Sequence, residues 1–261
     1  MGTLWASADT QTRFRRNRES IAARLSYPLY DVNEAGTSTL ISVAARALID
    51  TVITTIWSVP GGIASALVHS ITLLNTSTTT AQAVTIYCIE PGQTAASVAR
   101  TIYADTIEPN ETVVIEIPIT LAASAVVRAI ASPTSNVVSA RVDAMTLADV
   151  PAGLVLKVIE GISLTGSLAT LYTCPGIQEA VLLSAILCNT DTVERTPDMH
   201  IIQSAGSATV TNKVFQEPLQ TKVSAFIDTP FILASGDFIQ AKGSVTSVIS
   251  ARLSVLECNN S

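Results

Sequence analysis

Two histidines, four cysteines and 21 carboxylates are the side chains of this 261-residue sequence that could carry chemistry. His69 and His200 stand far apart and have no HxxxH or HxH partner, the spacing that a metal site would need. Asp198 and His200 form a lone D-x-H, a pattern too common to mark a site. No GxSxG nucleophile turn is present, and no GxGxxG or GxxxxGK[ST] phosphate cradle. Glu108, Glu111 and Glu116 offer carboxylates for sugar hydrolysis. Glu111 and Glu116 have opposite parity on an extended strand, so they point to opposite faces. Cys88, Cys174, Cys188 and Cys258 form no CxxC, and the first three lie in apolar runs, where an unpaired thiol packs as a small hydrophobe. The expected catalytic, cofactor and metal residues are therefore none, and the chain is read as not an enzyme.

The elements that would position these groups follow from an internal repeat. Ile56-Trp57-Ser58-Val59-Pro60-Gly61 leads into an apolar run ending at Asn75-Thr76. Leu171-Tyr172-Thr173-Cys174-Pro175-Gly176 leads into another ending at Asn189-Thr190. Leu121-Ala122-Ala123-Ser124 then answers Leu233-Ala234-Ser235-Gly236. Val138-Ser139-Ala140-Arg141-Val142 answers Ile249-Ser250-Ala251-Arg252-Leu253. Four blocks in the same order define two copies, placed at residues 37–147 and 148–261.

Both copies read as short strands between turns. Pro60-Gly61 and Pro175-Gly176 have turn dihedrals. Val113, Ile115, Ile117 and Ile119 alternate with Val114, Glu116 and Pro118, the period of a half-buried strand, with Pro118 marking an edge or strand end. Ala83–Ile89 is β-rich as well, and Ala225–Leu233 and Phe238–Lys242 are expected to play the part of these two strands, Ala83–Ile89 and Val113–Ile119, in the second copy. The stretch from residue 40 to 56 contains Ala45-Arg46-Ala47-Leu48, which alone could be helical. Its counterpart, Leu154 to Leu171, carries Gly161 and Gly166 among β-branched residues, so both are assigned to strands. The fold class is all-β: two tandem β-sandwich or jelly-roll-like domains.

Residues 1–36 have no counterpart in the repeat and are read as an extended or partly helical N-terminal arm. Arg13, Arg15, Arg16, Arg18 and Arg24 cluster there around Phe14, against a net charge of −6 for the whole chain. Such asymmetry gives the arm its own partner. An acidic neighbouring protein is favoured over a flexible soluble tail and, because the body is acidic, over nucleic acid. Hydrophobic residues make up 48% and charged residues 14%, and the mean hydropathy is +0.44. That surplus of apolar surface fits subunits that cover one another. The most hydrophobic stretch, Leu40 to Val59, is broken by Arg46 and Asp50, so no membrane insertion is expected.

The pattern Leu-Tyr-Thr-Xaa-Pro-Gly, strand, Asn-Thr, loop, strand, Leu-Ala-Ser-Gly-Asp and Val-Xaa-Ser-Ala-Arg resembles a β-sandwich module of tailed-bacteriophage virion proteins. Leu171–Asn189 and Phe231–Leu256 carry it best, and Ile56–Asn75 and Ile119–Val142 carry a second copy. The resemblance implies a fibre, spike, neck or head-decoration component, made in the host cytoplasm and located in the virion. It implies a homo-oligomer, a trimer or higher ring, bound to other virion proteins, and no catalytic residues. The alternatives are a capsid protein whose arm binds nucleic acid and a host-glycan-binding attachment protein. Arg141 and Arg252 recur at matching places and are expected to form ion pairs within each repeat or between subunits. Trp57 and Tyr172 match likewise and are expected to pack inside the sandwich.

Overall fold

The computed structural model describes residues 40–93, 96–147, 154–176 and 178–259. The arm read as extended or partly helical, with its arginines, lies outside the described residues. Residues from Leu40 onward form one compact unit.

Eight strands come first: β1 (Leu40–Ile49), β2 (Thr54–Ser58), β3 (Ser65–Asn75), β4 (Gln82–Ile89), β5 (Thr101–Ile107), β6 (Thr112–Ala122), β7 (Val126–Ser132) and β8 (Val138–Leu147). They pair antiparallel in two sheets, ordered β1-β8-β3-β6 and β2-β7-β4-β5. Nine more follow: β9 (Leu154–Ser163), β10 (Ala169–Thr173), β11 (Gln178–Asn189), β12 (Asp198–Ile202), β13 (Lys213–Phe215), β14 (Ser224–Ile227), β15 (Phe231–Leu233), β16 (Phe238–Lys242) and β17 (Ile249–Asn259). Their sheets are ordered β9-β17-β11-β14, with β15 also on β11, and β10-β16-β12-β13. The second set reproduces the first strand for strand, with β14 and β15 together in the place of β6. Two four-stranded sheets connected in this order make a jelly roll, and the chain contains it twice.

The repeat extends to irregularities. The β3–β6 and β3–β8 ladders slip between Val68 and Ser70, and the β11–β17 ladder slips between Leu182 and Ser184. Left-handed turn residues recur in pairs: Asn110 with Lys222, Ser124 with Gly236, and Asn136 with Ser247. One sequence-based match is corrected by the strand order. Phe238–Lys242 is the counterpart of Val126–Ser132, and Ala83–Ile89 is answered by Asp198–Ile202. The strand that β6 runs as one piece is broken in the second copy at Asp228–Pro230. Pro118 lies inside β6, at the edge of its sheet, where a missing N–H costs no ladder bond.

Core burial follows the two-residue period. Val138, Ala140, Val142 and Ala144 of β8 face inward, while Arg141 is exposed and Ser139 and Asp143 are half-buried. Trp57 belongs to the first core and Tyr172 to the second. In β17 the alternation disappears, and every residue from Ile249 to Glu257 is buried. Ile249, Ala251, Leu253 and Val255 enter the second core. The other face of the strand lies against the first jelly roll, so both faces are covered.

Candidate functional site

The junction between the two jelly rolls is the most elaborate polar site. The outer face of the β9-β17-β11 sheet receives an edge of the first jelly roll, made by β5, β6, Glu90 and the 3-10 turn Val98–Arg100. Ser250 Oγ donates to the Thr101 carbonyl at 2.6 Å. Ser254 Oγ accepts the Thr120 N–H at 3.0 Å. Arg252 Nη2 donates to Thr120 O at 2.9 Å and pairs with Glu90, both side chains being only 3% exposed. The other Glu90 oxygen accepts the Ala122 N–H. Ser184 Oγ donates to the Pro118 carbonyl. Ile186 and Phe226 complete the contact by packing into the first core. Apart from the Glu90–Ala122 bond, which holds Glu90 within the first copy, each link joins one copy to the other, so these residues fix the junction's register.

Gly161 makes the close approach possible. A Cβ there would lie 1.5 Å from the Ala99 carbonyl oxygen, so only glycine lets the 3-10 turn reach β9. The sequence motif singled out Arg141 and Arg252 as equals, but their environments differ. Arg141 forms a bidentate pair with Asp143 two residues along its own strand, with its side chain 46% exposed. Arg252 reaches across to the other copy. At the position matching Asp143 the second copy has Ser254.

A second pair of sites holds the loops. Asn75 Nδ2 donates to the carbonyls of Thr80, Ile107 and Glu108, and its Oδ1 accepts the Ser77 N–H. Asn189 repeats this set with Val193, Leu219, Gln220 and Asp191. Both asparagines are fully buried. Thr76 and Thr190 beside them donate to the carbonyls of Val137 and Val248. The sequence showed only that strands end there.

The remaining chemical groups are dispersed. His200 is buried, with Nδ1 3.1 Å from Asn212 Oδ1. His69 sits at the β3 bulge, where burial holds its imidazole below the ordinary value of 6.5 and Asp143 partly opposes this. Asp198 binds Lys213 and Lys242 at 3.2 and 3.3 Å. Burial pushes the Cys88 and Cys188 thiols up to about 11, the reverse of what a nucleophile needs. All four cysteines are free. Tyr172 donates to Glu257, which also binds Lys157 at 3.0 Å. Burial first, then Glu257, pushes the Tyr172 phenol up. Glu111 accepts the Glu108 N–H and so closes the turn before β6. Among the described residues no group of three or more His, Cys, Asp or Glu side chains gathers as metal ligands would, and no helix is long and apolar enough to cross a membrane.

No family model matches the chain, and neither does any curated protein. Among solved structures, it is similar to an archaeal virus protein with a triple jelly-roll fold and turret assembly. That match has 15% identity and TM-score 0.26, and covers 81% of this chain and 58% of the other. The tandem CBM22 domains of Paenibacillus barcinonensis Xyn10C match at 7% identity and TM-score 0.26, covering 86% and 92%. The major capsid protein of bacteriophage PM2 matches at 6% identity and TM-score 0.29, covering 85% and 98%. Scores this low mark partial overlaps, and the jelly-roll assignment rests on the strand order itself.

Proposed function

We propose that this chain is a structural subunit of a virus particle, made of two jelly-roll domains, residues 37–147 and 148–261, with no catalytic role. The observation that carries the reading is the duplicated jelly roll, in which a set of buried polar side chains serves the junction and the loops. Glu90, Thr120, Arg252 and Ser254 bind one another across the junction, and Asn75 and Asn189 bind backbone. Jelly rolls recur in viral shells and in lectins, and fold by itself does not assign function. The arginine-rich arm and the high apolar content favour the particle over the lectin. Within a particle, the tandem jelly roll fits a shell position better than a fibre, spike or neck. The arm, through Arg13, Phe14, Arg15, Arg16, Arg18 and Arg24, docks the subunit onto an acidic neighbour by complementary charge.

Particles purified from the source by density gradient test this reading. The chain is expected to co-migrate with them in stoichiometric amount, and deletion of residues 1–36 is expected to abolish its incorporation. A chain recovered only as free protein, absent from the particles, would overturn it. A glycan array with the purified chain addresses the attachment alternative, for which specific binding to one glycan class would be the signature.

A further inference from the structure

Strand register gives each junction residue a counterpart in the other copy. Asn75 matches Asn189, which aligns Ser70 with Ser184 and Thr72 with Ile186. Arg141 matches Arg252, which aligns Ser139 with Ser250 and Asp143 with Ser254. Ala66 and Ala180 each lie nine residues before their asparagine and pair with Leu121 and Leu233, so Thr120 aligns with Ile232. The 3-10 turn Val98–Arg100 aligns with the 3-10 turn Val210–Asn212. Ile89 and Ile202 pair with the counterparts Val126 and Phe238, so Glu90 aligns with Gln203.

The junction uses an edge of the first jelly roll and the outer face of the second. Among the described residues, the equivalent edge of the second and the equivalent face of the first are more exposed than their counterparts. On the face, Ser184, Ile186, Ser250, Arg252 and Ser254 are all buried, whereas Ser70, Thr72, Ser139, Arg141 and Asp143 are all exposed or half-buried. On the edge, Thr120 is fully buried, but its counterpart Ile232 is 77% exposed. Val210, in the second 3-10 turn, is 86% exposed. These are the two most exposed large hydrophobic side chains among the described residues. In the first copy the turn and β6 both touch β17, so their counterparts, Val210 and Ile232, look in one direction.

The geometry points to head-to-tail self-association. The more exposed edge of one chain, β13, β15 and the turn Val210–Asn212, docks on the outer face of the β1-β8-β3 sheet of a second copy, repeating the intramolecular junction. This deepens the structural-subunit reading by naming a partner, a second copy of this chain. Two different surfaces meet, so the contact is heterologous and propagates until a ring or shell closes. The copy is not atom for atom. Ile49 and Leu164 accept equivalent turn N–H groups, from Asn136 and Ser247, so Gly161 aligns with Arg46. With a side chain at that position the turn stands further off than Ala99 does from Gly161. The face is also self-neutralised, because Arg141 is held by Asp143, and Gln203 brings no charge in place of Glu90. The result is a looser contact, anchored on two apolar side chains, that forms and breaks between subunits.

Sedimentation and light scattering of the full chain over a concentration series test this. The wild type is expected to self-associate. Val210→Asp/Ile232→Asp on the edge and Thr72→Lys/Ser139→Lys on the face are each expected to weaken association about tenfold or more, with unchanged melting. Mixing the two variants is the decisive arm: only one intact edge and one intact face remain, so they should form a one-to-one dimer and nothing larger. Hydrogen exchange on the wild type gives a readout free of mutation, with the amides of residues 210–215 and 231–233 more protected at high concentration. A wild type that stays monomeric, association indifferent to the edge variant, or a mixture that fails to pair would each overturn the proposal. Self-association by these surfaces in a chain absent from particles would leave this inference standing and remove the virion reading. Incorporation into particles through other surfaces would do the reverse.

Discussion

Replacing Asn189 by alanine tests whether the buried asparagines hold the loops by hydrogen bonds or merely fill space. The substitution removes donors from the carbonyls of Leu219, Val193 and Gln220, at 2.9, 2.9 and 3.0 Å, and the acceptor of the Asp191 N–H at 2.9 Å. The Leu219 bond is fully buried, but its carbonyl keeps the Arg195 N–H at 3.0 Å, so losing one of two donors costs about 0.5–1.5 kcal/mol. The other two bonds are partly buried and water can replace the donor, so each contributes about 0.5–1.5 kcal/mol. The expected loss is about 2–4 kcal/mol, which for a unit of this size lowers Tm by about 10 °C. Urea unfolding at fixed protein concentration measures it, with an unchanged m-value as the check that the unfolded state is unaltered. Asn189→Asp sharpens the test. It keeps the shape and the acceptor but points carboxylate oxygen at carbonyls, so at neutral pH it should be at least as damaging as alanine. Its carboxyl is then held above the ordinary Asp value of about 3.9. The protonated form donates, so stability is recovered in full below the ordinary value and is lost as pH rises from there through the raised value of the folded state. An Asn189→Asp protein as stable as wild type at neutral pH would refute the hydrogen-bond account.

Three other outcomes follow from the geometry. Arg252→Met strands the buried Glu90 charge and should cost about 3–5 kcal/mol, while Glu90→Gln/Arg252→Met should regain most of it; a double variant as unstable as the sum of the singles would count against the pair. Gly161→Ala places a methyl 1.5 Å from Ala99 O and should destabilise by about 1–3 kcal/mol or more, whereas Gly166→Ala, with open space around it, should be near neutral in thermal melts. The imidazole of His69 is depressed by burial, so its contribution is complete above pH 6.5 and is lost as pH falls below that value. His69→Gln should flatten this part of the stability–pH curve, and an unchanged curve would show that the titration lies elsewhere.

The repeat made much of the fold legible, because hydrophobic alternation and Pro-Gly turns are local signals. Each of the four matched blocks lies on equivalent strands or turns, and the buried Trp57 and Tyr172 follow from their place before the turns. The junction was not legible, for reasons of distance and context. Glu90 and Arg252 are 162 residues apart and nothing local links them. Gly161 reads as a weak strand residue, and its role in receiving Ala99 exists only once the two copies meet. Asn75 and Asn189 bind backbone carbonyls up to 33 residues away, which have no residue type to recognise. Phe238–Lys242 was matched to the wrong strand because the counterpart of β6 is interrupted at Pro230, which hides the correspondence.

The fates of Arg141 and Arg252 show how a duplicated surface becomes asymmetric. Both occupy the same place on the same strand, so the backbone presents their side chains in the same direction. The difference lies two residues on. Asp143 supplies a carboxylate on the same face and captures the guanidinium within its own strand. Ser254 carries no charge, so Arg252 is free to extend to Glu90, and the serine hydroxyl accepts the Thr120 N–H instead. A buried ion pair contributes little net stability against an apolar replacement, because desolvation offsets attraction. Its physical effect here is discrimination. An edge without Glu90 would leave Arg252 buried and unpaired, so the face of the second copy rejects edges like its own, where Gln203 stands. The self-neutralised face of the first copy imposes no such demand. One face is thereby specific for its own chain, while the other accepts an uncharged apolar edge from outside.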